Sequence, residues 1–61
     1  MSKFVKIVER DDGYCMCINL DQVVLVDEFI GMVLLNTTEQ KYRKIFLHSD
    51  SIRKIISELG V

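Results

Sequence analysis

Met32-Val33-Leu34-Leu35 is the stretch on which the reading of this chain turns. Val23-Val24-Leu25-Val26 and Ile45-Phe46-Leu47 repeat its character. A strand sends successive side chains to opposite faces of its sheet. A strand with one wet face should therefore alternate apolar and polar residues. These three runs are apolar at both parities, so both faces of the sheet call for cover.

Working outward, the strand-like runs are punctuated by turn residues. Lys3 to Val8 reads as a first strand and Tyr14 to Ile18 as a second, antiparallel to it across Asp11-Asp12-Gly13, a strong turn signal. Asn19 to Gln22 reads as a turn, Val23 to Asp27 as a third strand and Glu28 to Gly31 as a connection. Met32 to Asn36 is a fourth strand, Thr37 to Gln40 a polar loop and Tyr42 to His48 a fifth strand. The helix comes last. Ser49 or Asp50 is placed to cap it, and Gly60 to stop it. Ile52, Ile55, Ile56 and Leu59 fall at i, i+3, i+4 and i+7 and form one apolar stripe. The expected fold is α+β: a small antiparallel β-meander of about five strands with one C-terminal amphipathic helix.

At 61 residues the chain is a single domain, 1–61. Chains of this size bury only about 60% of their unfolded surface, and many gain stability from a disulfide, a metal or a partner. Hydrophobic residues make up 49% of the chain and charged ones 28%, which argues for a packed fold rather than disorder. No apolar run approaches the roughly 20 residues of a membrane span. Met1 to Lys6 has no long apolar segment of the kind a secretory signal carries. The expectation is a cytoplasmic protein whose two cysteines are thiols.

One helix covers one side of a sheet, so the second cover is expected to be another molecule. Phe4, Met32, Leu34 and Phe46 are the candidates for that contact face. Leaving such side chains wet forfeits about 1.5–3 kcal/mol each, and a patch of them marks an interaction site. A homodimer or higher oligomer is the expectation.

Charge is uneven. The net charge is −1, with −4 over residues 1–40 and +3 over 41–61. Lys41, Arg43, Lys44, Arg53 and Lys54, with Tyr42 as a stacking residue, form the candidate nucleic-acid contact. The bland reading of that basic end is a solvated face.

Residues for catalysis or metal binding do not assemble into a pattern. Cys15-Met16-Cys17 places two thiols on one strand face, but zinc takes four ligands and His48 is the single histidine. The two cysteines read as small buried hydrophobes. Asp11, Asp12, Asp21, Asp27 and Glu28 fall in turns and connections, where carboxylates are usual. No phosphate-cradling glycine loop or nucleophile elbow is present. No cofactor and no enzymatic activity is expected.

Val5-Lys6-Ile7, the Asp12-Gly13 turn, Ile18-Asn19-Leu20-Asp21-Gln22-Val23 and Ser51-Ile52-Arg53-Lys54-Ile55-Ile56 together resemble the small bacterial FlbD/SwrD-type flagellar proteins. The resemblance runs from residue 3 to 59 and implies a strand meander with a terminal helix. The chain departs from that pattern at Thr37-Thr38, where a Gly-containing turn is usual, and at Leu34, where a polar residue is usual. The flagellar role is therefore not carried over. Phe46-Leu47-His48 followed by Ile52 and Ile55 is similar to the end of the carbon storage regulators, which are RNA-binding dimers. That family's Gly-Glu-Thr signature is missing here.

Two functions follow as expectations. The first is a small non-enzymatic protein-interaction module, a homo-oligomer acting as an accessory, regulatory or inhibitor-type protein through an apolar sheet face or a strand edge. The alternative is an RNA- or DNA-binding regulator using the basic C-terminal strand and helix.

Overall fold

β1 (Phe4–Val8) has the pattern of a strand with one wet face. Val5 and Ile7 are buried, while Phe4 and Lys6 are exposed. The computed structural model describes residues 3–60. β2 (Cys15–Asn19) pairs antiparallel with β1, with Lys6 opposite Cys17 and Ile7 opposite Met16. The connection turns through Gly13, whose N–H donates to the Glu9 carbonyl at 3.0 Å. A 3-10 turn (Leu20–Gln22) follows β2. The Asn19 side chain caps it by accepting from Asp21 N at 2.9 Å. It leads into β3 (Val23–Asp27), β4 (Met32–Leu35) and β5 (Lys44–Phe46), a three-stranded antiparallel sheet in that order.

The five strands thus form two antiparallel sheets, and a C-terminal helix completes the expected α+β class. The sheets are joined beyond the end of β1. Glu9 bridges Leu47, with Arg10 N donating to the Phe46 carbonyl at 3.0 Å and His48 N to the Val8 carbonyl at 3.1 Å. Across this junction the spatial order is β2-β1-β5-β4-β3, which leaves β2 and β3 as the two edges.

The fifth strand is shorter than the sequence suggests. Gln40–Arg43 forms one helical turn, α1, with no buried residue. The Thr37 hydroxyl accepts from Glu39 N, and Tyr42 N donates to the Glu39 carbonyl. These local bonds compete with a ladder, and the polar run 37–44 offers no buried face to oppose them.

α2 (Ser49–Leu59) docks on β1. Ile52 and Ile55 are buried and Ile56 is half-buried, whereas Leu59 is exposed. The expected caps are not used. His48 is the N-cap residue and makes no side-chain cap bond. Ser49 and Asp50 are exposed, and Asp50 pairs with Arg53 at 3.5 Å. The serine that matters is Ser51, which is buried and whose Oγ accepts from Val8 N at 2.8 Å. The helix thereby satisfies a strand amide at the sheet junction. Gly60 ends the helix at φ 78°, donating to the carbonyls of Ile56 and Ser57, a left-handed cap that suits glycine.

The core is one cluster: Val5, Ile7, Ile18, Leu20, Val33, Ile45, Leu47, Ile52 and Ile55. It joins both sheets and the inner stripe of α2.

Candidate functional site

β3 begins with a bulge. Val23 pairs with Leu35 and Leu25 with Leu34, so Val24 is an extra residue in the edge strand. A bulge leaves one residue without a partner and bends its strand. Val24 is 66% exposed, and Leu25 is exposed beside it. No residue of β3 is buried. Val23 to Val26 form one wall of an open groove of about 500 Å³, and Ile56 and Leu59 of α2 line its other side. This is where the outlying fourth member of the helical stripe goes.

Phe29 stands at the end of the same strand and is 94% exposed. Its turn is nonetheless tied down. The Asp27 carboxylate accepts from Phe29 N at 3.0 Å and from Ile30 N at 3.3 Å. Gly31 N donates to the Asp27 carbonyl, Leu47 N to the Gly31 carbonyl, and the Arg10 guanidinium to the Ile30 carbonyl at 3.1 Å. Gly31 has φ 72°, and a Cβ there would lie 3.1 Å from the Leu47 carbonyl oxygen. A bare phenyl ring is therefore held outward by a turn of fixed shape.

The contact face expected from the sequence does not form one patch. Phe4 lies on β1, in the other sheet, with 63% exposure. Met32, Leu34 and Phe46 do share the outer face of β4 and β5, since Met32 opposes Phe46. Met32 is buried there, at 9% exposure, and the Arg10 guanidinium lies 4.8 Å above the Phe46 ring. The chain itself covers part of the face that was expected to be open. The larger exposed apolar surface lies one strand over, on β3, its turn and Leu59. One sign of it was present in the sequence: Phe29 is an aromatic residue in a connection, between Asp27-Glu28 and Gly31, where no strand can bury it.

The six candidate nucleic-acid residues fall into two groups. Lys41, Tyr42, Arg43 and Lys44 are contiguous in α1 and the start of β5, with the Lys41 ammonium 5.5 Å from the Tyr42 ring centre. Tyr42 and Tyr14 line one recess between the sheets. Arg43 lines another with Val24, Leu34, Leu35, Asn36 and Thr37. Arg53 and Lys54 lie on α2. Arg53 shares a recess with Arg10 and His48.

Cys15 and Cys17 are exposed on the outer face of the hairpin rather than buried. That parity is the one of Phe4 and Lys6, which faces away from the core. Among the described residues no three His, Cys, Asp or Glu side chains cluster as metal ligands, and no helix is long and apolar enough to cross a membrane. The Glu58 carboxyl is held below its ordinary pKa. The Lys3 ammonium lowers its pKa, first by a direct hydrogen bond and then by charge, and Lys54 adds to the effect.

No family model, curated protein or solved structure matches this chain.

Proposed function

We propose that this protein is a small non-enzymatic interaction module, a homo-oligomer that acts as an accessory or regulatory partner through the open apolar edge of its sheet. The observation that carries the reading is the exposure of Val24 and Leu25 on an edge strand and of Phe29 in the turn that follows it. Natural edge strands are usually blunted by lysine, proline, a bulge or cover, and of these β3 has the bulge at Val24. β3 holds neither lysine nor proline, and its one charged residue, Asp27, closes the strand. Exposed apolar side chains gathered at one edge mark protein contacts, and an open edge offers backbone groups to a partner.

Light scattering over a concentration series tests the assembly. The reading expects a mass above one chain at micromolar concentration and a fall toward one chain in the Val24→Asp, Leu25→Asp double variant. A single-chain mass throughout, together with a salt-dependent gel shift on RNA or DNA, would favour the nucleic-acid alternative instead.

A further inference from the structure

We propose that two copies of this chain associate about a two-fold axis with their β3 strands antiparallel, each seating its Phe29 ring in the other's groove between β3 and α2. The inference rests on the interaction-module reading and names its partner. A two-fold contact must be self-complementary, each surface meeting its own copy. This flank carries both a knob and a groove: the knob stands just past one end of β3, and the groove runs along the strand. Phe29 stands just past the C-terminal end of β3. The groove lies along Val23 to Val26 and Glu28 against Ile56 and Leu59. α2 starts beside the β3–β4 turn, where Ile52 and Arg53 share a recess with Phe29 and Ile30. Its later turns reach the groove along β3 through Ile56 and Leu59. Five strand residues and eleven helical ones both span about 16 Å, so the groove matches the strand in length.

One register brings shape and charge together. With the axis at Val26, Phe29 of one copy meets Val23 of the other, and Glu28 meets Val24. Arg43 is the cation beside Val24. Among the described residues neither Arg43 nor Glu28 has an ion-pair partner within its own chain. Antiparallel pairing brings Arg43 of each copy to Glu28 of the other. A parallel arrangement would set the acidic pair Asp27 and Glu28 against its own copy and leave each Phe29 outside a groove.

Size sets the strength. The molecule measures 30 × 25 × 19 Å, so one flank offers about 600 Å², short of the roughly 800 Å² per partner in a standard interface. A flank of this size suits a reversible dimer rather than an obligate one. The two phenyl rings, at about 150–250 Å² each, are a large share of what is buried.

The test is sedimentation equilibrium of the full chain from micromolar to millimolar concentration, with circular dichroism confirming that each variant is folded. The expected result is a one-chain to two-chain transition. Phe29→Ser should weaken it by at least about tenfold, as for a central aromatic anchor. Arg43→Glu should weaken it as well, and the Arg43→Glu, Glu28→Arg exchange should restore most of the loss. A dimer unmoved by Phe29→Ser and Arg43→Glu would overturn this geometry while leaving the interaction-module reading intact on another face. A wild-type chain that stays single at millimolar concentration would overturn both the pairing and the homo-oligomer. A mass beyond two chains would overturn the closed two-fold arrangement alone.

Discussion

β1 and β3 are each five residues long, and each carries four apolar residues and one charged residue. In β1 the charge, Lys6, is central, and exposure alternates around it. In β3 the charge, Asp27, is last, and no residue is buried. Position completes the difference. β1 lies inside the sheet order, with β2 on one side, the Leu47 junction on the other and α2 packed on it. β3 is an edge, bent by the bulge at Val24. Equal hydrophobicity therefore supports the core in one strand and forms surface in the other. What separates them is where the chain places each strand, together with the presence or absence of a polar residue marking a wet face.

The largest expected effect breaks the comparison if it fails. Ile7 is fully buried, and Ile7→Ala should cost about 2–5 kcal/mol. At about 0.05–0.15 kcal/mol per residue, that approaches the whole stability of a chain this short. Leu25→Ala, read at concentrations where the protein is a single chain, should cost less than about 1 kcal/mol. Urea unfolding of the two variants decides the matter. Equal losses would mean that β3 is as integral to the monomer's core as β1.

A smaller effect concerns how β1 is held. Ser51 brings its hydroxyl to the Val8 amide at 2.8 Å. Removing it in Ser51→Ala strands a donor at the sheet junction, at about 1–3 kcal/mol. Ser57 on the same helix is exposed, and Ser57→Ala should change stability by no more than about 0.5 kcal/mol. Val8 amide exchange should quicken only in the first variant. Unchanged protection of Val8 would show that the hydroxyl is dispensable there.

These contrasts also show how far the sequence could be read. Strand boundaries followed from turn chemistry, and Val23–Asp27 is reproduced residue for residue because Asp21-Gln22 and Asp27-Glu28 bound an unbroken apolar run. The placing of β1 beside β5 was not legible, since it depends on Glu9 meeting Leu47 across most of the chain, a pairing no local pattern announces. Apolar density at both parities pointed to a surface in need of cover, but not to which one. Met32 satisfies the helix-free face from within, and Arg10 shields Phe46 from a distant turn. Leu59 fits the helical stripe by spacing, yet the structure places it in the groove along β3. The cysteines were misjudged for a related reason. Their strand, β2, takes its inward parity from Ile18, and the apolar triplet Cys15-Met16-Cys17 hides that parity.

The smallest expected effect separates the two flanks of α2 at its C-terminal end. On the β1 side, Glu58 meets Lys3, the residue before β1, in a hydrogen-bonded ion pair. On the β3 side, the neighbouring Leu59 faces the open groove. The Lys3 ammonium lowers the Glu58 pKa below its ordinary 4.5, so the folded state favours the ionised carboxylate more than the unfolded chain does. The pair's contribution is then fully present above the ordinary value and is lost as pH falls through the lowered one. Both groups face water, so salt weakens the pair further. Melting temperature should therefore fall on acidification slightly more steeply in the wild type than in Lys3→Ala, with the two profiles converging at acid pH and in high salt. The Leu59→Ser variant should shift both profiles by one constant amount, because no titrating contact is altered on that flank. If Lys3→Ala kept the full wild-type acid slope, the ion pair would not be what fastens the end of α2 to β1, and the contrast between a fastened flank and an open one would rest on packing alone.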